Sequence, residues 1–382
     1  MAVKELDPAA YVTFDLGNSG LRDLVLGMAF GKEDLITNAL QQPAASSYGA
    51  IVQKAKYQKV VMRGSAVFEF DGDPYIVGDA ATHGGQVNRL TGDAKYKHGY
   101  WDVVALAKLL RRFPGGHNNL TVAVAHPANA YPYIDQMMDL IGGKRTIKTP
   151  EGDTVSFRVR KVIPWAEAEG GILRWMNLPA QINGDSVKVG RVNGKSVKVG
   201  DRILVFDIGG KISSMTAVIV AEGETFETIY DPTEQPFNLG IQDVLDTLSQ
   251  ELKSLHTDDF QGLRDIPLNM LEEAVRTGKV TISSRLVSVE QAVKNSIFSL
   301  IDKLEQRYKN KHGGGKNFNH IVVTGGGGGL IYKHLIDKKE GILNHPNVYL
   351  ADREDSIHFA NLRGGAVSFG AWLAEQALKG IK

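Results

Sequence analysis

The chain has no cysteine in its 382 residues. That excludes disulfides, thiolate-held metals and a cysteine nucleophile. It also lacks a dominant charge: 44 Lys and Arg stand against 43 Asp and Glu, a formal net charge of +1. Such a balance excludes a strong overall field for nucleic acid or anionic membrane, though not a local patch. No apolar run approaches the ~18 residues of a membrane span. Residues 1–10 carry Lys4, Glu5 and Asp7 and no apolar stretch, so no secretory leader is expected and a cytoplasmic location is. The hydrophobic share of 43% and the charged share of 23% are ordinary for a folded protein, so a sizeable core is expected. What the chain has in excess is glycine. There are 42, well above the usual ~7% of residues, and their positions carry the argument.

Strand and helix signals alternate. Tyr11–Asp15 reads as a short strand running into the polar turn Leu16–Gly20, and Leu21–Phe30 resumes an apolar pattern, giving a hairpin. Residues 60–70 and 75–77 read as strands around the turn Asp71–Pro74. Trp101–Phe113 has the periodicity of a buried helix. Leu120–Ala125 is a continuous apolar run, as in a strand buried on both faces. Asn183–Gly190 recurs once as Asn193–Gly200, and its alternating Val and Lys around Asn-Gly predict a solvent-facing hairpin without chemistry of its own. Ser288–Tyr308 is the longest predicted helix, with Val289, Val293, Ile297, Leu300, Ile301, Leu304 and Tyr308 on one stripe. The alternation argues an α/β architecture.

Three glycine turns each follow a strand. The first is Asp15-Leu-Gly-Asn-Ser-Gly20, with Arg22 just beyond. Glycines let several backbone N–H groups point at one spot, a concave donor set that suits phosphate oxygens. An aspartate at the strand end suits a hydrated Mg²⁺. Asp and Gly are also default turn residues, so alone this is equally an ordinary hairpin. The second, Phe206-Asp207-Ile208-Gly209-Gly210, repeats the arrangement with Lys211 following. Two copies suggest two related halves, each offering a phosphate clamp. The third, Thr324–Gly329, joins a strand at 320–324 to a helix predicted over 330–336. It is neither a Rossmann fingerprint nor a P-loop, because Leu330 and Ile331 stand where a P-loop needs Lys and Ser or Thr.

In that order the three motifs resemble the actin-like ATPase superfamily: its phosphate 1 segment over 15–22, phosphate 2 over 207–211 and adenosine segment over 322–330. Further segments are similar to the ParM/StbA group of plasmid-segregation actins and their archaeal relatives. Asn238–Gln242 is similar to the second connecting segment, and Phe359–Gly364 to the C-terminal Ala-Asn-x-Arg-Gly signature. The resemblance implies an actin-like (ribonuclease H-like) fold: two α/β domains flanking a nucleotide cleft, with domain I over 1–200 plus 351–382 and domain II over 201–350.

It further implies binding of ATP (or GTP) with Mg²⁺. The residues implied are Asp15, Gly17, Asn18, Ser19, Gly20, Arg22, Asp207, Gly209, Gly210, Lys211, Gly240, Glu273, Arg276 and Gly325, Gly326, Gly327 and Gly328. Asp15 and Asp207 would hold the Mg²⁺ through water, and Asp207, Glu167 and Asp15 would carry the catalysis. In ParM-like proteins a Pro-Glu pair brings a carboxylate to the attacking water. Here Pro164 is followed by Trp165, and Glu167 is assigned the role, with Glu169 two residues on. His126 is read as structural. The function implied is an ATPase that polymerises head-to-tail into dynamic filaments, coupled by a DNA-binding adaptor protein to plasmid segregation, with no direct nucleic acid contact. The alternatives are a nucleotide-gated scaffold and a small-molecule kinase of the same fold.

Overall fold

The structure, a computed structural model, describes residues 7–16, 21–26, 34–36, 39–57, 65–83, 88–89, 100–126, 133–176, 180–182, 185–187, 197–222, 226–229, 237–254, 266–282, 284–312, 317–337, 345–353 and 357–379. The chain divides into two compact units. One comprises Met1–Lys195 with Phe359–Lys382, the other Ser196–His358.

The first unit is built on a ten-stranded sheet: β1 (Ala10–Leu16), β2 (Leu21–Leu26), β3 (Asp34–Ile36), β4 (Ala39–Gln41), β5 (Ala66–Phe70), β6 (Asp73–Val77), β7 (Asn88–Arg89), β8 (His117–His126), β9 (Gly143–Lys148) and β10 (Thr154–Ala166). Their order across the sheet is β3-β2-β1-β8-β10-β9-β5-β6-β4-β7. β1 and β2 form the expected antiparallel hairpin, from Tyr11 opposite Leu26 to Leu16 opposite Leu21. β1 then pairs parallel with β8, and β8 parallel with β10. Parallel strands must be covered on both faces, which is why β1 and the end of β8 are apolar almost throughout. Successive side chains alternate in face. Val12 and Phe14 share a core with helix α2 (Trp101–Arg112), whereas the ring of Tyr11 meets Phe369 of the C-terminal helix, centroids 6.1 Å apart.

Helix α2 buries Val103, Val104, Leu106, Ala107 and Leu109, and with them Lys108. A buried ammonium is tolerable only when paired. Lys108 Nζ donates to Asp23 Oδ1 of β2 at 2.9 Å, and Arg112 Nε takes the other carboxylate oxygen. This trio pins α2 to the hairpin. Helix α1 (Ala45–Tyr57) rests Tyr48, Ile51 and Val52 on Val67, Ile76 and Ala81 and buries none of its own residues fully. Helices α3 (Ile134–Ile141) and α4 (Glu167–Met176) follow β8 and β10. β11 (Ala180–Ile182) and β12 (Asp185–Val187) pair as a small antiparallel ribbon, from Ala180 opposite Val187 to Ile182 opposite Asp185, where the first copy of the repeat predicted a hairpin. The second copy lies outside the described residues, apart from its last four.

The second unit holds a five-stranded sheet of β13 (Arg202–Ile208), β14 (Ser213–Val220), β15 (Phe226–Ile229), β18 (His320–Thr324) and β19 (Val348–Leu350). Between β15 and β18 the chain forms α5 (Ile241–Ser254), α6 (Leu268–Thr277), the hairpin β16 (Lys279–Ile282) and β17 (Arg285–Ser288), and α7 (Glu290–His312). The stripe read for α7 is buried as expected: Val293, Ile297, Leu300, Ile301, Leu304 and Tyr308 are all in the core. α8 (Gly326–Asp337) follows β18, and α9 (Ala360–Leu378) closes the chain and belongs to the first unit. The expected start of α8 at Leu330 is corrected. The glycine run from Gly326 is itself helical, its packing on Ile208, Ile241 and Val323 overriding the poor helix propensity of glycine.

The five strands run β15-β14-β13-β18-β19. Neighbouring pairs are antiparallel, antiparallel, parallel and parallel. β3-β2-β1-β8-β10 of the first unit has the same sequence of directions. The two halves suggested by the Asp-x-Gly turns are therefore alike strand for strand.

Candidate nucleotide site

In the second unit the fold gathers three distant segments at the carboxyl ends of β13 and β18. Asp207 stands at the end of β13, opposite Ser214 and alongside Thr324, and is buried. The turn after it is tight. Gly209 N–H donates to Ile212 O at 3.1 Å, and a Cβ on Gly209 would lie 2.4 Å from that oxygen. The turn's carbonyls face the start of α5: Ile241 N–H donates to Gly209 O at 3.2 Å and Gln242 N–H to Gly210 O at 2.7 Å. The chain reaches that position only because residue 240 is glycine, since a Cβ there would meet Gly209 O and Gly210 at 2.8 Å. Asp243 Oδ2 caps the Gly240 N–H at 3.0 Å, and Ser213 Oγ donates to Leu239 O at 2.6 Å.

Gly325 enters from the other side. Its φ is +80°, and a Cβ would lie 2.3 Å from Asp207 Oδ1 and 2.5 Å from Ile208 O. A Cβ on Gly327 would strike Ile208 and Ile241 at 2.8 Å, and one on Gly328 would press Val323 at 3.0 Å. Gly326 opens α8, with its N-terminal amide end at this junction. The glycines thus let two helix starts approach one aspartate turn. With its carbonyls used by α5, that turn keeps the N–H groups of Gly210 and Lys211, which donate to nothing among the described residues. The Lys211 side chain is exposed and makes no ion pair. Amides, one lysine and a buried carboxylate beside them fit a phosphate and a hydrated divalent cation. Among the described residues no group of three or more His, Asp or Glu could hold a metal by itself, so such an ion would rest on water and phosphate as much as on the chain. Glu273 is half-buried and Arg276 exposed on α6, which packs on α5; they form no ion pair with each other.

In the first unit Asp15 and Arg22 sit opposite each other on β1 and β2, with Arg22 Nη1 donating to Asp15 Oδ2 at 3.0 Å. Both are buried. The arginine expected to add charge to this turn is thus paired with the first aspartate. Gly17, Asn18, Ser19 and Gly20 lie outside the described residues. The parallel register sets Ala166 level with His126, so Glu167 follows at the carboxyl edge of the same strands that carry Asp15. Glu167 is half-buried in the first turn of α4.

The residue after Pro164 is structural. The Trp165 ring fills the space over Gly170 of α4 and Gly365 of α9, where added Cβ atoms would meet it at 2.7 and 2.4 Å. Glu169 is the carboxyl whose chemistry the fold changes most here. Burial raises its pKa, opposed by a hydrogen bond from Ser368 Oγ at 3.4 Å. The sequence reading passed over the capping Asp243 and the Ser213 link to Leu239. The Gly-x-x-Asp spacing of 240–243 is the signal that would have found the cap.

Comparisons with known proteins bear on the fold. Residues 34–170 match the family described as "Actin like proteins N terminal domain". The chain has an actin-like fold. An archaeal actin homolog aligns with TM-score 0.70 at 14% identity, over 95% of this chain and 99% of the other. The same homolog has been solved in complex with ADP, and there it aligns with TM-score 0.67 at 16% identity, over 95% and 99%. A ParM from a 15-stranded Clostridium botulinum filament aligns with TM-score 0.65 at 14% identity, over 96% and 100%. Bacillus thuringiensis ParM with ATP aligns with TM-score 0.62 at 14% identity, over 97% and 100%. No curated protein sequence is significantly similar to this chain. The recognition of an actin-like protein with ParM and archaeal actin neighbours is borne out.

Proposed function

We propose that this chain is a nucleotide-dependent, filament-forming actin-like protein that hydrolyses ATP or GTP. The observation that carries the reading is the junction of Asp207, Gly209–Lys211, Gly240 and Gly325–Gly328. Three segments far apart in sequence are packed through glycines around one buried carboxylate. The Gly210 and Lys211 amides bind phosphate, Lys211 adds charge, and Asp207 holds the water shell of Mg²⁺. The cation supplies charge neutralisation of the phosphates. The Asp15 turn provides the second phosphate contact, with Arg22 fixing Asp15 in place. Glu167, at the carboxyl edge of the first unit's sheet, orients the attacking water, and Glu169 is the alternative carboxylate. Glu273 and Arg276 contact the purine or ribose.

Filament growth follows from a head-to-tail contact that does not close on itself. Loss of the terminal phosphate removes contacts at the Asp207 turn and weakens assembly. A DNA-binding adaptor would couple the filament to plasmid segregation in the cytoplasm. Phosphate release from Mg–ATP tests the chemistry. Asp207→Ala should lower the rate by about 10²-fold, the scale for removing one preorganised electrostatic group. A normal rate in that variant would remove Asp207 from the assignment.

A further inference from the structure

We propose that the exposed face of the β9–β10 ribbon in the first unit binds the phosphodiester backbone of nucleic acid without reading its bases. The ribbon is antiparallel, with Arg158 opposite Lys144, Ser156 opposite Thr146 and Thr154 opposite Lys148. Val155, Phe157 and Val159 enter the core, so the alternate residues form the other face. That face presents Lys144, Arg158 and Arg160, all exposed. A register shift before Lys161 brings a fourth cation beside them, its Nζ 4.3 Å over the Trp372 ring.

The face costs the fold something. Like charges directly opposite on a ladder repel, and Lys144 stands against Arg158. No carboxylate compensates them: among the described residues Lys144, Arg158, Arg160 and Lys161 enter no ion pair. Glu151 and Asp153 lie in the turn at the far end of the ribbon from Lys144 and Arg158, and two other acids beside it are engaged. Glu69 takes Lys148 at 3.0 Å, and Asp7 accepts from the Asn118 N–H at 2.7 Å. The net charge of +1 describes the whole chain and does not forbid this local excess.

The composition selects the occupant. Lys and Arg interleaved with Ser and Thr are the side chains that contact phosphate and sugar. Alternate residues on a strand lie about 7 Å apart, so the cations form a row rather than one pocket. The face has no apolar anchor of the kind that dominates protein–protein contacts. It has no free aromatic for base stacking either, since Trp372 is already covered by Lys161. A sequence-independent polyanion fits best.

The test is fluorescence polarisation of a short mixed-sequence DNA duplex against the full chain across a salt series. Wild type is compared with Lys144→Ala/Arg158→Ala/Arg160→Ala, with excess Mg–ATP in a parallel arm. Binding should weaken steeply with salt. The triple variant should flatten the slope of log affinity against log salt by up to about 3, near 0.9 per lost phosphate contact. Mg–ATP at matched ionic strength should not displace the duplex. No binding at low salt, an unaltered slope in the variant, or competition by Mg–ATP would each overturn the proposal. So would capture of polyglutamate in place of DNA. Because the three side chains are exposed and distant in sequence from the Asp207 turn, phosphate release by the triple variant reports separately on the proposed ATPase.

Discussion

Single residues decide how closely the three segments around Asp207 can meet. Gly325 combines a left-handed φ of +80° with an Asp207 oxygen 2.3 Å from where a Cβ would stand. Gly325→Ala should therefore lose about 1–3 kcal/mol from backbone strain, and more from displacing Asp207. Urea unfolding together with an ATP titration would show both. The placement of Asp15 and Asp207 at strand ends was legible because each closes an apolar strand run, and the repetition of that pattern set it apart from an ordinary turn. Arg22 was legible as a cation but not as Asp15's partner, because pairing across a hairpin depends on register. Glu169 titrates in the opposite sense from a salt-bridged acid. Burial holds its proton to higher pH in the folded chain than in the unfolded one, so ionising it costs stability. That cost is absent below the ordinary glutamate value of 4.5 and fully present above the raised pKa. Glu169→Gln, which keeps an acceptor for Ser368, should match wild type in acid and be more stable near neutral pH. Thermal unfolding across pH measures it, and equal stability at all pH values would contradict it.

Elements meet through the same device. α4 and α9 touch backbone to backbone: a Cβ on Gly364 would lie 1.6 Å from Gly170 O, and one on Gly170 would lie 2.4 Å from Asn361 O. Trp165 fills the adjoining space against Gly170 and Gly365, so no void beside the contact takes up an added side chain. Gly364→Val should cost at least the ~1–3 kcal/mol typical of overpacking, seen as a lower urea midpoint; an unchanged midpoint would mean the helices are not in contact there. The Gly-rich tail forms one helix, Ala360–Leu378. Its partner was not legible, because a glycine gives no hint of which backbone will approach it. The same limit explains α8. A run of glycines has poor helix propensity, so the start was expected at Leu330, yet close packing on Ile208 and Val323 imposes helix from Gly326.

At the scale of the molecule, the chain builds one strand pattern twice: an antiparallel hairpin ending in an Asp-x-Gly turn, then two parallel strands. The repetition of Phe-Asp-aliphatic-Gly at residues 14–17 and 206–209 announced it in the sequence. The five strands beyond β10, from β9 to β7, carry weaker signals because short antiparallel strands with one open face mix polar and apolar residues. Both carboxylate turns lie at strand carboxyl ends, where α/β sheets bind ligands. In the proposed function, nucleotide state controls assembly. The most direct measurement is right-angle light scattering of the purified chain after adding Mg–ATP, beside Mg–ADP and beside Asp207→Ala. Scattering should rise with Mg–ATP, decay as phosphate is released, and stay flat with Mg–ADP and in the variant. A flat wild-type trace with Mg–ATP, at protein concentrations well into the micromolar range, would contradict nucleotide-driven filament formation.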